Sequence, residues 1–151
     1  MSLLVVGTVA FDAIETPFAK TDKIIGGAAT YICHSASFFS KKISLVSVVG
    51  EDFPNKAING LKDKGVDVGG LQIKKGRKTF FWSGKYHNNM NTRDTLDTQL
   101  NVLEGFNPIV PEGFKKSEYL MLGNLMPSVQ KKVLNQMTQR PRLIVLDTMN
   151  F

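Results

Sequence analysis

The chain has 151 residues, 42% hydrophobic and 21% charged, with a net charge of +6 at neutral pH. That is one domain able to bury a core, with no apolar run of bilayer length and an apolar start at Leu3-Leu4-Val5-Val6 rather than a basic leader, so a cytoplasmic protein is expected. Lysine pairs such as Lys41-Lys42, Lys74-Lys75, Lys115-Lys116 and Lys131-Lys132 are scattered, as on solvated faces and unlike a nucleic-acid stripe, and the single Cys33 excludes an internal disulfide or a multi-cysteine metal cluster.

Leu3 to Phe11 is a near-continuous apolar run, which predicts a strand buried on both faces of a parallel sheet. Gly7 within it suggests close backbone approach, and Asp12 follows at the carboxyl end, where open α/β sheets bind ligands. Asp12 is read either as a ligand-binding carboxylate or as a cap or ion-pair partner of Lys20 or Lys23. Residues 13–25 carry no helix signal and predict short strands leaving the main sheet.

Gly26-Gly27-Ala28-Ala29-Thr30-Tyr31 is the stretch around which the chain is organised. The glycine pair lets the backbone adopt positive φ and lets a ligand touch the main chain, and the first amides of the helix that follows are expected to point forward unpaired. The plain alternative is a loop ending. The helix is expected over Ala28 to Phe39, with Ala29, Ile32, Cys33, Ala36 and Phe39 facing the core, Cys33 as a packing residue and His34 at the surface.

Ile43 to Val49 predicts the next strand, with Asp52 capping a helix that Pro54 opens and Gly65 stops. A short strand follows at Leu71 to Ile73. From Lys78 to His87 the residues alternate, Phe80, Trp82 and Tyr86 on one side and Phe81 on the other, and Thr92 to Leu103 returns antiparallel after the Asn88-Asn89 turn. These aromatics either line a ligand or a partner subunit, or cover the parent domain. Tyr119 to Leu122 predicts a buried strand ending in Gly123-Asn124, then a helix from Pro127 to about Gln139, then a last buried strand at Leu143 to Leu146. Strands separated by helices indicate an α/β doubly wound parallel sheet, a Rossmann-like core. Asp147 to Phe151 follows without a covering helix, so a fragment of a longer protein is expected.

Gly7 with Asp12, Gly26-Gly27 opening a helix, and Val49-Gly50-Glu51-Asp52 before a helix and Gly65-Val66-Asp67 stand in an order that resembles the N-terminal half of a ribokinase-like (PfkB) carbohydrate kinase, across essentially all 151 residues. The resemblance implies ATP-dependent transfer of the γ-phosphoryl group, with Mg2+, to a hydroxyl of a sugar or nucleoside. It implies that Asp12, Gly26, Gly27, Ala28, Tyr31 and Asn124 meet the substrate. It also implies that segments 12–25 and 78–103, with Phe81, Trp82 and Tyr86, form a small antiparallel β lid that covers the sugar and in many members builds a homodimer.

Tyr31 stands where the family commonly has Asn, Ala10 where ribokinases have Asn, and Asn124 near a position that carries Glu, so ribose itself is not the expected substrate. The family's catalytic base and most of its ATP site belong to a C-terminal half outside this sequence, and no Walker loop replaces them, so the chain alone is expected to be inactive, with no catalytic residue of its own. The rival readings are a non-catalytic sugar-binding or regulatory module of the same fold, and a nucleotide-binding dehydrogenase, which lacks support because there is no dinucleotide fingerprint after the first strand.

Overall fold

The computed structural model describes residues 1–148; Met149, Asn150 and Phe151 of the expected tail lie outside the described residues. Its main sheet has five parallel strands. β1 (Leu3–Val6) pairs with β4 (Ile43–Gly50) on one side and β8 (Tyr119–Leu122) on the other, with β5 (Val66–Lys74) and β9 (Leu143–Leu146) outermost. Alternation along β1 divides the core: Val5 faces α1 (Ala28–Ala36) and α2 (Asn55–Asp63) through Ala29, Cys33, Ile58 and Leu61. Leu4 and Val6 face the other way, toward Val133 of α3 (Pro127–Leu134) and Phe106 and Phe114. Helices on both faces make this the doubly wound α/β architecture expected of such a strand pattern.

The second sheet has the order β3-β2-β6-β7, built from β2 (Ala10–Glu15), β3 (Ile24–Gly26), β6 (Phe81–Tyr86) and β7 (Arg93–Gln99). It is mixed, not the antiparallel lid that was expected: β2–β6 is parallel, because the two hairpins enter the sheet from the main sheet in the same direction, and is flanked by the antiparallel pairs β2–β3 and β6–β7. The chain thus leaves the main sheet after β1 and returns at α1, as residues 13–25 predicted.

Several boundaries differ from expectation for identifiable reasons. Leu3 to Phe11 is two strands in two sheets, because at Gly7 the backbone passes under α1, where an added Cβ would lie 3.2 Å from the Ala29 Cβ. Asp12 therefore belongs to the second sheet rather than to the tip of β1. β5 is longer than the predicted short strand because it pairs along β4 from Ile43 to Gly50, with a register shift on the way. α1 stops at Ala36, the Ser37 hydroxyl donating to the His34 carbonyl at 2.7 Å, and Phe39 is exposed instead of joining the core stripe. His34 is half-buried. α3 ends at Leu134, a turn early. β9 was expected buried, yet Leu143, Val145 and Leu146 are exposed and only Ile144 packs on the core, because β9 is an outer strand.

Candidate functional site

The site forms where the two sheets meet, above the carboxyl ends of β1 and β8. Gly27 is its pivot. At φ 92° it turns β3 into α1, and a Cβ there would lie 2.4 Å from the Thr8 carbonyl oxygen and 2.8 Å from the Ala10 nitrogen, so only glycine fits. Gly26 is required for another reason: a Cβ on it would come within 2.0 Å of Asp12 Oδ2. The Asp12 carboxylate thus lies directly against the glycine pair.

Of the helix amides that were expected to point forward unpaired, the first two are taken, as is the amide of the N-cap Gly27. The Gly27 N–H donates to Asp12, the Ala28 N–H to Thr8 Oγ1 at 3.0 Å and the Ala29 N–H to the Thr8 carbonyl at 2.9 Å. The Thr30 hydroxyl closes the turn by donating to the Gly26 carbonyl at 2.7 Å. Thr8 is the residue that sequence reading missed. It caps α1 from twenty residues away, and its only signal was its place beside Gly7 at the strand break.

Asp12 is half-buried. Burial raises its pKa, and the Gly27 amide offsets this only in part, so its carboxylate sits above the ordinary aspartate value. The ion-pair alternative is answered elsewhere: Lys20 pairs with Glu15 at 3.2 Å and Lys23 with Asp52 at 3.3 Å. Asp12 and Trp82 are register partners on β2 and β6 and share a sheet face, the one opposite Phe11 and Phe81, which turn toward the core. The Trp82 ring lies along β6 over Gly84, its indole N–H donating to Thr95 Oγ1 at 3.3 Å.

Gly123, at the end of β8, packs against Gly7 and the Ala28 Cβ, and so brings the half-buried Asn124 to the same corner. Gln130, 97% buried, holds this loop: its Nε2 donates to the carbonyls of Gly123 (3.0 Å) and Asp147 (3.1 Å). Tyr31, one turn into α1, is 54% exposed and donates its hydroxyl to the Ile25 carbonyl at 3.4 Å. Asp12, Gly26, Gly27, Ala28, Tyr31 and Asn124 are therefore gathered around one corner, while Trp82 stands beside Asp12 in register with its ring turned along β6 toward Gly84 and Thr95. Phe81 is not among them, since it packs on the core beside Phe11, and Tyr86 lies at the far end of β6, lining a separate cavity with Glu15, Lys85 and His87.

Asp52 is not the helix cap that was expected; α2 starts at Asn55, with Pro54 in the N-cap position and no side-chain cap. Its carboxylate accepts from the Thr79 amide (2.8 Å) and hydroxyl (2.7 Å) and faces Lys23. Burial alone would raise its pKa, but the Thr79 bonds and Lys23 outweigh burial and hold it below the ordinary value. Cys33 is fully buried, its thiol pushed up to about 12 by burial, as befits a packing residue.

The five-stranded order with a second sheet sprouting from its strand ends is the fold of ribokinase-like kinases. The chain superposes with a TM-score of 0.79 on a Cryptococcus neoformans var. grubii serotype A ribokinase in complex with ADP, at 17% identity over 99% of this chain and 51% of that one. It superposes at 0.76 on a Burkholderia thailandensis nucleoside kinase in complex with inosine, at 10% identity over 99% of this chain and 52% of that one. In sequence it is 28% identical over 137 residues to a cytidine kinase of Thermococcus kodakarensis, 91% of this chain and 48% of that protein. The chain spans about half the length of these proteins, and no family model matches it. The resemblance to ribokinase-like (PfkB) kinases drawn from Gly7, Asp12, Gly26-Gly27 and Val49 to Asp52 holds.

The first two α1 amides, part of the natural phosphate cradle, are occupied by Thr8 and the Gly27 amide before them by Asp12, and among the described residues no group of three or more His, Cys, Asp and Glu is placed to hold a metal. This corner fits neither a triphosphate nor its metal.

Proposed function

We propose that the chain is the acceptor side of a nucleoside kinase, in which the γ-phosphoryl group of ATP passes to a sugar hydroxyl of the nucleoside. The observation that carries this reading is the Asp12 carboxylate, held against Gly26-Gly27 by the Gly27 amide with Trp82 beside it in register. A carboxylate accepts from two neighbouring hydroxyls at once, the glycine pair lets a sugar ring lie against backbone, and the aromatic rings of Trp82 and Tyr31 offer π faces to a base, which a free sugar does not need. The relatives named as cytidine kinase and as nucleoside kinase with inosine support a nucleoside over a simple sugar. Asn124 would contribute an amide to the same hydroxyls.

In this reading the second sheet is a lid, and its closure would exclude the water that competes as phosphoryl acceptor. A homodimer through that sheet, where Leu96 of β7 is exposed, belongs to the same proposal. So does a cytoplasmic location; no helix among the described residues is long and apolar enough to cross a membrane. ATP belongs to the same proposal, supported by the neighbour in complex with ADP; Mg2+ follows only from the family resemblance, and the 151-residue chain by itself is expected to bind the acceptor without transferring phosphate.

Calorimetric titration of the 151-residue chain with cytidine, inosine and ribose tests the reading. Nucleoside binding that Asp12→Ala weakens supports it. Equal binding of all three ligands, or none, refutes the nucleoside assignment. Phosphorylation of cytidine by the purified chain with ATP and Mg2+ would refute the half-site reading, and its absence alongside nucleoside binding is the expected result.

A further inference from the structure

The chain crosses between its two sheets four times: from β1 to β2, from β3 through α1 to β4, from β5 to β6, and from β7 back toward β8. Asp52, two residues beyond the end of β4, is bonded directly to one of these crossings and to the β2–β3 turn of the second sheet, and to a further crossing through one intermediary. Its Oδ1 accepts both the amide and the hydroxyl of Thr79, two residues before β6. Its Oδ2 faces Lys23 Nζ at 3.3 Å, immediately before β3. Thr79 in turn accepts the Gly50 amide on its hydroxyl at 3.0 Å, and accepts Asn101 Nδ2 on its carbonyl at 2.9 Å, two residues after β7.

The bonds are well placed to transmit force. Thr79 is 1% exposed, so water reaches these hydrogen bonds only from the Asp52 side, and Lys23 Nζ also lies 3.9 Å over the ring of Phe11, the residue before Asp12. Phe11 is held in turn by the Phe80 carbonyl, which accepts its amide at 2.9 Å. Asp12 is paired across its own sheet with Ile24, next to Lys23, and with Trp82, three residues after Thr79. Asp52 touches none of the residues gathered at the corner, yet it grips the root of β6, which carries Trp82, and the root of β3, the partner of the strand that carries Asp12.

We propose that Asp52 is a positioning residue: through Thr79 and Lys23 it sets the angle of the second sheet over Gly26-Gly27, and so the distance from Asp12 and Trp82 to the bound nucleoside. This rests on the functional reading above. A carboxylate displaced by about 1 Å loses most of its effect on a bound group, so releasing the grip should weaken binding well before the fold is lost.

Trp82 is the single tryptophan of the chain and lies in the second sheet, so its fluorescence reports that sheet directly. The experiment measures acrylamide quenching of Trp82 and the cytidine dissociation constant for the 151-residue chain and for Asp52→Ala, Asp52→Asn and Lys23→Met. Asp52→Ala is expected to increase quenching and weaken binding by about tenfold or more, the effect of losing bonds to a charged acceptor. Asp52→Asn keeps an oxygen for Thr79 and is expected to restore affinity to within about threefold of wild type. Lys23→Met, at an exposed position, is expected to increase quenching with little change in melting temperature.

A folded Asp52→Ala with unchanged quenching and affinity overturns the proposal, as does an Asp52→Asn no better than Asp52→Ala in binding. Should Asp52→Ala fail to fold, Lys23→Met decides: unchanged quenching overturns the proposal and increased quenching supports it. Should the wild-type chain bind no nucleoside, the functional reading fails, and quenching alone judges the grip of Asp52 by the same criterion.

Discussion

Replacing Gly26 by alanine should dislodge the Asp12 carboxylate while leaving the fold in place, whereas the same change at Gly27 should damage the fold itself. At Gly26 the new methyl would lie 2.0 Å from Asp12 Oδ2, so the carboxylate has to retreat by about 1.4 Å to reach an ordinary 3.4 Å contact. A carboxylate at the free end of a half-buried side chain yields readily. Its lost bond to the Gly27 amide is offset by renewed hydration, and the net cost should stay within about 1.5 kcal/mol. Each hydrogen bond that the displaced carboxylate no longer makes to a sugar hydroxyl costs about 1.5–3 kcal/mol, or roughly 10- to 150-fold in affinity.

At Gly27 the obstacles are backbone atoms, Thr8 O at 2.4 Å and Ala10 N at 2.8 Å, and φ is 92°. Overpacking and a strained φ together cost roughly 2–6 kcal/mol. At about 2–4 °C per kcal/mol for a domain of this size, the melting temperature should fall by roughly 5–20 °C. Thermal denaturation and calorimetric titration with cytidine on both variants separate the two effects. A Gly26→Ala chain that melts and binds like wild type would remove Asp12 from the site.

Asp12 and Asp52 should have opposite effects on stability against pH. The folded-state pKa of Asp12 is raised, so its contribution is full below the unfolded value and is lost as pH rises through the folded one; Asp12→Asn should therefore melt higher than wild type at pH 7, the difference vanishing in acid. The folded-state pKa of Asp52 is lowered, so its contribution is present above the unfolded value and lost as pH falls through the folded one; Asp52→Asn should melt lower at pH 7 and match wild type in acid, and melting curves across pH with the signs reversed would refute both assignments. Gln130→Ala leaves the Gly123 and Asp147 carbonyls without this donor and should cost about 1–3 kcal/mol, read as a lower denaturation midpoint; an unchanged midpoint would show that water replaces the amide. Cys33, its thiol at about 12, should resist iodoacetamide at pH 8 until denaturant is added, and rapid modification of the native chain would show that its helix opens.

The sequence by itself determined that the main sheet has these strands and helices, though not their bounds, because apolar runs such as Leu3 to Phe11 and Tyr119 to Leu122, and the stripe Ala29, Ile32 and Cys33, are local records of burial, whereas the break at Gly7 that divides the first run between two sheets is not. It also determined Gly26-Gly27 as the pivot, since a glycine pair before an apolar stripe is visible in one dimension. Only the tertiary structure decided what meets there. Thr8 caps α1, Asp52 binds Thr79 and Lys23, and Phe81 turns to the core while Trp82 stands beside Asp12, because each depends on how two sheets meet at Gly7, Gly27 and Gly50. A hydrogen bond between residues twenty or more apart leaves no periodicity in the chain; it exists only once the backbone has brought its partners within about 3 Å.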